Sequence, residues 1–97
     1  MNLKFYVLQD RQVVEATMEE WSRFLASPDR FVGQWTFGDD IFVSTVFLGI
    51  ELHPGQVFET MVFGGPMDGH QERTSTWLEA ERTHERVCAM VTKRVLQ

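Results

Sequence analysis

The sequence predicts an α+β domain in which a mainly antiparallel sheet of about five strands carries two helices, in the order ββαβββα. Three observations lead there. Runs rich in β-branched and aromatic residues are joined by short polar or glycine-containing turns, which favour antiparallel neighbours because parallel pairing needs a long crossover. Two segments open with the same Thr-x-x-Glu spacing, Thr17 to Glu20 and Thr76 to Glu79, ahead of helical apolar periodicity. The two central strands are apolar on both sides.

The elements follow in order. Residues 3–8 and 13–17 are short β-type runs separated by Gln9-Asp10-Arg11-Gln12, which predicts a first hairpin. Thr17 then caps a helix over 18–26, whose Met18, Trp21, Phe24 and Leu25 fall on one face and which stops at Ser27-Pro28. Arg30 to Phe37 reads as a strand ended by Gly38-Asp39-Asp40, and Ile41 to Ile50 as the strongest strand of the chain. A turn at His53-Pro54-Gly55-Gln56 precedes a strand from Val57 to Phe63, and Gly64 to Arg73 reads as a loop. Thr76 opens the longest helix, about 77–95, with an apolar stripe through Trp77, Ala80, His84, Val87, Cys88, Val91 and Val95.

On the central strands, Ile41, Val43, Thr45 and Phe47 share one face, and Phe42, Ser44, Val46, Leu48 and Ile50 share the other. A half-solvated antiparallel strand alternates more cleanly than this. Both faces of the sheet are therefore expected to be covered, by the helices, by the first hairpin or by a second copy of the chain. The last option makes a homodimer the expected assembly.

The 97 residues fit a single domain spanning 1–97. A formal net charge of −5 and the lack of a Lys/Arg cluster argue against nucleic-acid binding, which needs basic surface to displace counterions. The single cysteine, Cys88, forms no intrachain disulfide, so a cytoplasmic setting is the simplest expectation. No apolar run is long enough for a membrane span, and the first residues read as a strand rather than a signal peptide.

Three stretches also carry a resemblance. Ser44-Thr45-Val46-Phe47-Leu48-Gly49, Phe58-Glu59-Thr60-Met61-Val62-Phe63-Gly64-Gly65, and Ser75-Thr76-Trp77-Leu78-Glu79-Ala80 followed by His84 span most of residues 35–95. In them the chain resembles a family of small proteins from phages and bacterial genomes. The resemblance implies a phage or prophage context and, with it, the host cytoplasm; it implies no activity.

Candidate chemistry is sparse. His70, His84 and Asp68 are weak metal-ligand candidates: a zinc site needs three or four convergent ligands, and His70 and Asp68 sit in a turn-rich stretch. Cys88 stands one helical turn after His84, an outward likeness to a thiol–imidazole pair, but on a stripe that faces the expected core. No nucleophile elbow, phosphate-binding glycine loop or zinc-protease motif occurs, so no catalytic residue and no cofactor is implied.

Glu59 is the most informative single residue, an acid in an otherwise apolar strand. It reads either as a structural pin, paired with Arg73 or Arg82 between strand and helix, or as a polar anchor in a ligand pocket with Thr60, Ser44 and Trp77. Trp35 and Phe37, on one strand face near a turn, read as core or as a partner-binding surface. The expected function is a non-enzymatic binding protein that occupies a host protein or a small ligand, an inhibitor of a bacterial defence system being one concrete version. The alternatives are a small metal-dependent hydrolase using His70, His84, Asp68 and Glu59, and a structural or assembly accessory.

Overall fold

A computed structural model describes residues 3–51 and 53–97; Met1, Asn2 and Leu52, which falls beside the predicted 53–56 turn, lie outside the described residues. Strands β1 (Phe5–Gln9) and β2 (Gln12–Ala16) form a hairpin, followed by helix α1 (Met18–Leu25) and a single 3-10 turn at Pro28–Arg30. Strands β3 (Phe31–Phe37), β4 (Ile41–Phe47), β5 (Phe58–Phe63) and β6 (Gln71–Thr74) lead to helix α2 (Trp77–Val95). The class is α+β and the predicted order holds, with six strands among the described residues rather than about five. They are divided between a two-stranded and a four-stranded antiparallel sheet, the latter ordered β3-β4-β5-β6.

Both helices start as the capping boxes require. Thr17 accepts the Glu20 amide at 3.1 Å while Glu20 accepts the Thr17 amide at 2.9 Å. Thr76 and Glu79 repeat the reciprocal pair, each bond at 3.1 Å. The extra strand, β6, lies at the end of the stretch predicted as a loop. Gln71-Glu72-Arg73-Thr74 has no apolar alternation to betray it; it is an edge strand specified by its register on β5, where Arg73 faces Glu59 and Gln71 faces Met61.

Helix α2 lies on one face of the larger sheet. Burial along β4 alternates strictly, with Ile41, Val43, Thr45 and Phe47 inward, and β5 follows with Phe58, Thr60 and Val62. The helix supplies Ala80, Thr83, Val87 and Val91. At about 1.5–3 kcal/mol for each fully buried large apolar side chain, this layer supplies the main stabilisation of the fold. It has two apolar clusters. One gathers Ile41, Val43, Val62, Met67, Val87 and Val91, with Trp35 and Phe37 packed against it. The other gathers Phe47, Val57, Phe58 and Ala80, and draws in the hairpin and α1 through Tyr6, Leu8, Val13 and Phe24.

Trp35 and Phe37, with ring centroids 5.6 Å apart, are thus core-side residues rather than a free aromatic surface. The predicted apolar face of α1 is only partly used, since the helix has no buried residue and Met18 is 60% exposed. Its anchor is Trp21, whose indole donates to the Leu48 carbonyl at 2.9 Å. Gly49 makes that contact possible: at φ 71°, a Cβ there would stand 2.6 Å from the Trp21 ring.

Within the described residues, the expected coverage of both sheet faces is met on one face alone. The hairpin and α1 pack against Phe47, Phe58 and Ala80 on the α2 side, and among the described residues no layer lies over the opposite face. Phe42, Ser44, Val46 and Met61 are half-buried there by their sheet neighbours, and Phe31 and Phe63 are exposed at 39% and 45%.

Candidate functional site

The residues singled out in the sequence do not converge. They fall on three parts of the molecule, each with its own chemistry.

The first is the open sheet face. Cross-strand register places Phe31, Val46, Glu59 and Arg73 in one row, Gln34, Ser44, Met61 and Gln71 in the next, and Thr36, Phe42 and Phe63 in a third. Phe42 and Phe63 stack with ring centroids 6.0 Å apart. Glu59 accepts from Arg73 Nη2 at 3.1 Å and Nε at 3.3 Å, and also from the Gln71 amide. Glu59 is therefore a pin, as one reading of the sequence had it, but one that ties strand to strand rather than strand to helix. The Ser44 hydroxyl accepts from the Gln34 amide at 2.7 Å. Between them these residues satisfy one another, leaving a face that is apolar at its middle, with the Arg30 guanidinium over Phe31 at one edge.

The second part is a polar seam on the covered face. Thr60, expected beside Glu59 in a pocket, points the other way. Its hydroxyl lies 2.8 Å from that of Thr45, which lies 2.7 Å from His84 Nδ1, and His84 Nε2 is 3.7 Å from Cys88 Sγ. The seam runs between the two apolar clusters, because Thr45 separates Val43 from Phe47 on β4 and Thr60 separates Phe58 from Val62 on β5. Each hydroxyl has a partner, which is the condition for burying it. Burial pushes the His84 imidazole below its ordinary value and the Cys88 thiol above its own. A neutral thiol beside a neutral imidazole is the reverse of the thiolate–imidazolium state of a catalytic cysteine.

Gly33 of β3 is what admits the ring of His84. A Cβ at this position would stand 2.6 Å from both Cδ2 and Nε2. The weak metal candidates do not meet. His84 belongs to this seam, Asp68 accepts the Gly64 amide at 2.7 Å in the β5–β6 turn, and His70 Nε2 pairs with Glu72 at 2.7 Å. Among the described residues no group of three or more His, Cys, Asp or Glu side chains is placed to hold a metal ion. Glu72 also accepts from Arg86, tying β6 to α2; the guanidinium, then His70, holds its carboxyl below the usual range.

The third part lies at the far end, where the hairpin tip meets the start of α2. Trp77 was expected near Glu59; its ring instead packs edge-on to Phe58, with centroids 6.4 Å apart, on the helix side of the sheet. The Arg11 guanidinium lies over it, 4.7 Å from the ring centroid. A groove of about 440 Å³ opens here, floored by Leu8, Phe24, Phe31, Val32 and Trp77 and rimmed by Asp10, Arg11, Asp29 and Glu81. A neighbouring depression of about 680 Å³ shares Asp10, Arg11 and Trp77 with it.

Sequence reasoning passed over the groove because Asp10-Arg11 reads as an ordinary polar turn. One signal was present: the two-residue loop of a tight hairpin favours Gly at its second position, and Arg stands there.

Comparison with known proteins returned no matching family model, no matching curated protein and no matching solved structure.

Proposed function

We propose that this is a non-enzymatic binding protein that works by laying the open face of its four-stranded sheet against another protein surface. The carrying observation is that Phe31, Phe42, Val46, Met61 and Phe63 share one uncovered face on which Glu59 and Arg73 neutralise each other, with Arg30 over Phe31 at its edge. Exposed apolar surface of this extent in a small domain marks a contact site. A paired ion also enters an interface without leaving an uncompensated buried charge.

The chain carries a net charge of −5, but this face does not share in it. Two copies therefore stack here without opposing acidic surfaces, as aligned sheets do at about 10 Å, and a homodimer is the proposed resting assembly. The resemblance to small phage and bacterial proteins supports a prophage or phage origin and a cytoplasmic setting. Inhibition of a bacterial defence component is the concrete version of the role.

A hydrolase built on His70, His84, Asp68 and Glu59 is disfavoured, because Glu59 lies on the open face while His84 lies under α2. Sedimentation of the wild type and of Met61→Lys tests the reading. Dimer for the first and folded monomer for the second is the expected result. A wild type that stays monomeric at every concentration, and whose open-face residues show no shift on exposure to any candidate partner, sinks it.

A further inference from the structure

The groove at the hairpin tip supports a further inference, which shares Phe31 with the open face and otherwise rests on different residues. Asp10 and Arg11 both have left-handed backbones, φ 49° and 65°. Aspartate tolerates that region, whereas arginine there costs about 1–2 kcal/mol that glycine avoids. The turn offers no reason for an arginine; its side chain does, because the turn delivers the guanidinium to the face of Trp77.

The surroundings are those a cation selects. The ring faces of Trp77 and Phe31 carry negative electrostatic potential, and Arg30 lies over Phe31 with its guanidinium 4.2 Å from the ring centroid. Asp10, Asp29 and Glu81 supply three carboxylates at the rim against Arg11 alone, or against Arg11 and Arg30 together. None of these five side chains takes part in an ion pair among the described residues. The floor of Leu8, Phe24 and Val32 suits the aliphatic stem behind a charged head. An anionic ligand would meet an acidic rim on an acidic protein.

We propose that this groove receives an arginine or lysine side chain from a basic segment of a partner protein, and that Arg11 covers Trp77 as an internal stand-in until the segment arrives. The two depressions share Asp10, Arg11 and Trp77, so residues flanking the inserted side chain have the second depression to occupy, which favours a segment over a single free amino acid.

The test is a titration with the blocked peptide acetyl-Gly-Arg-Gly-Arg-Gly-amide, followed by NMR at the Trp77 indole N–H, which a Trp77→Phe variant assigns. The peptide is expected to shift that signal, and the same peptide with glutamate in place of arginine is not. The Asp29→Asn, Glu81→Gln double variant should bind about threefold or more weakly, the scale of exposed ion pairs. Arg11→Ala should bind about threefold more tightly, because the ring face is already free. Circular dichroism confirms that each variant is folded.

An unmoved indole at millimolar peptide overturns the proposal, as does unchanged affinity in Arg11→Ala. Free arginine binding as tightly as the peptide overturns the protein-segment assignment. Shifts centred on Met61 and Phe63 instead would overturn the groove while supporting the open-face reading, and Met61→Lys leaves the groove intact, so the two fail separately.

Discussion

Gly33→Ala is the sharpest probe of the polar seam. Gly33 is not among the residues with positive φ, so alanine fits its backbone; the obstacle is the His84 imidazole, 2.6 Å from the position its Cβ would take. The ring has little freedom to retreat, being held by Thr45 at 2.7 Å on one side and facing Cys88 at 3.7 Å on the other. Overpacking of this kind costs about 1–3 kcal/mol. Displacing the ring from Thr45 adds about 1 kcal/mol for the lost hydrogen bond. A total of about 3 kcal/mol lowers the melting midpoint of a domain this size by about 12–24 °C.

The decisive measurement is a double-mutant cycle by urea denaturation. In a His84→Ala background the obstructing ring is gone, and the glycine-to-alanine change should be neutral or stabilise by about 0.4–1 kcal/mol through the unfolded chain. A cost of similar size in both backgrounds would refute the reasoning, because the clash would then not be with His84.

Three further outcomes follow from the same structure. Tyr6 is the sole tyrosine, and its bond to Glu51 at 2.6 Å, then burial, push its phenol up to about 12; phenolate absorbance should therefore appear far above its ordinary pH, and Glu51→Gln should return it towards about 10. His84 is held below its ordinary value by burial, so its contribution is fully present above the unfolded value of about 6.5 and is lost as pH falls towards the folded one; the decline in urea midpoint below about pH 6.5 should shrink in His84→Gln. Burial raises the Cys88 thiol, so iodoacetamide should label the native protein far more slowly than the urea-unfolded chain, and equal rates would contradict the seam as described.

Much of the architecture was legible in the sequence because it rests on local rules. Thr17 and Thr76 announce their helices through side chains that reach only three residues along, and the β-branched and aromatic run from Ile41 to Phe47 marks a strand within its own length. What was illegible depended on distant partners. Gln71 to Thr74 is a strand only because β5 offers it a register. Glu59 and Thr60 are neighbours in sequence and looked like one site, yet the two-residue period of a strand sends them to opposite faces.

By itself the sequence determined the element order, the helix caps, the acidic balance and the apolar character of both sides of the central strands. Tertiary structure alone decided that α2 shields only one side, that His84 threads between two threonines and a glycine, and that Arg11 comes to rest on Trp77, 66 positions away. The physical reason is reach. Hydrogen bonds within a turn and the pitch of a strand act over a few residues, whereas which surface finds a cover is fixed only when the whole chain has packed.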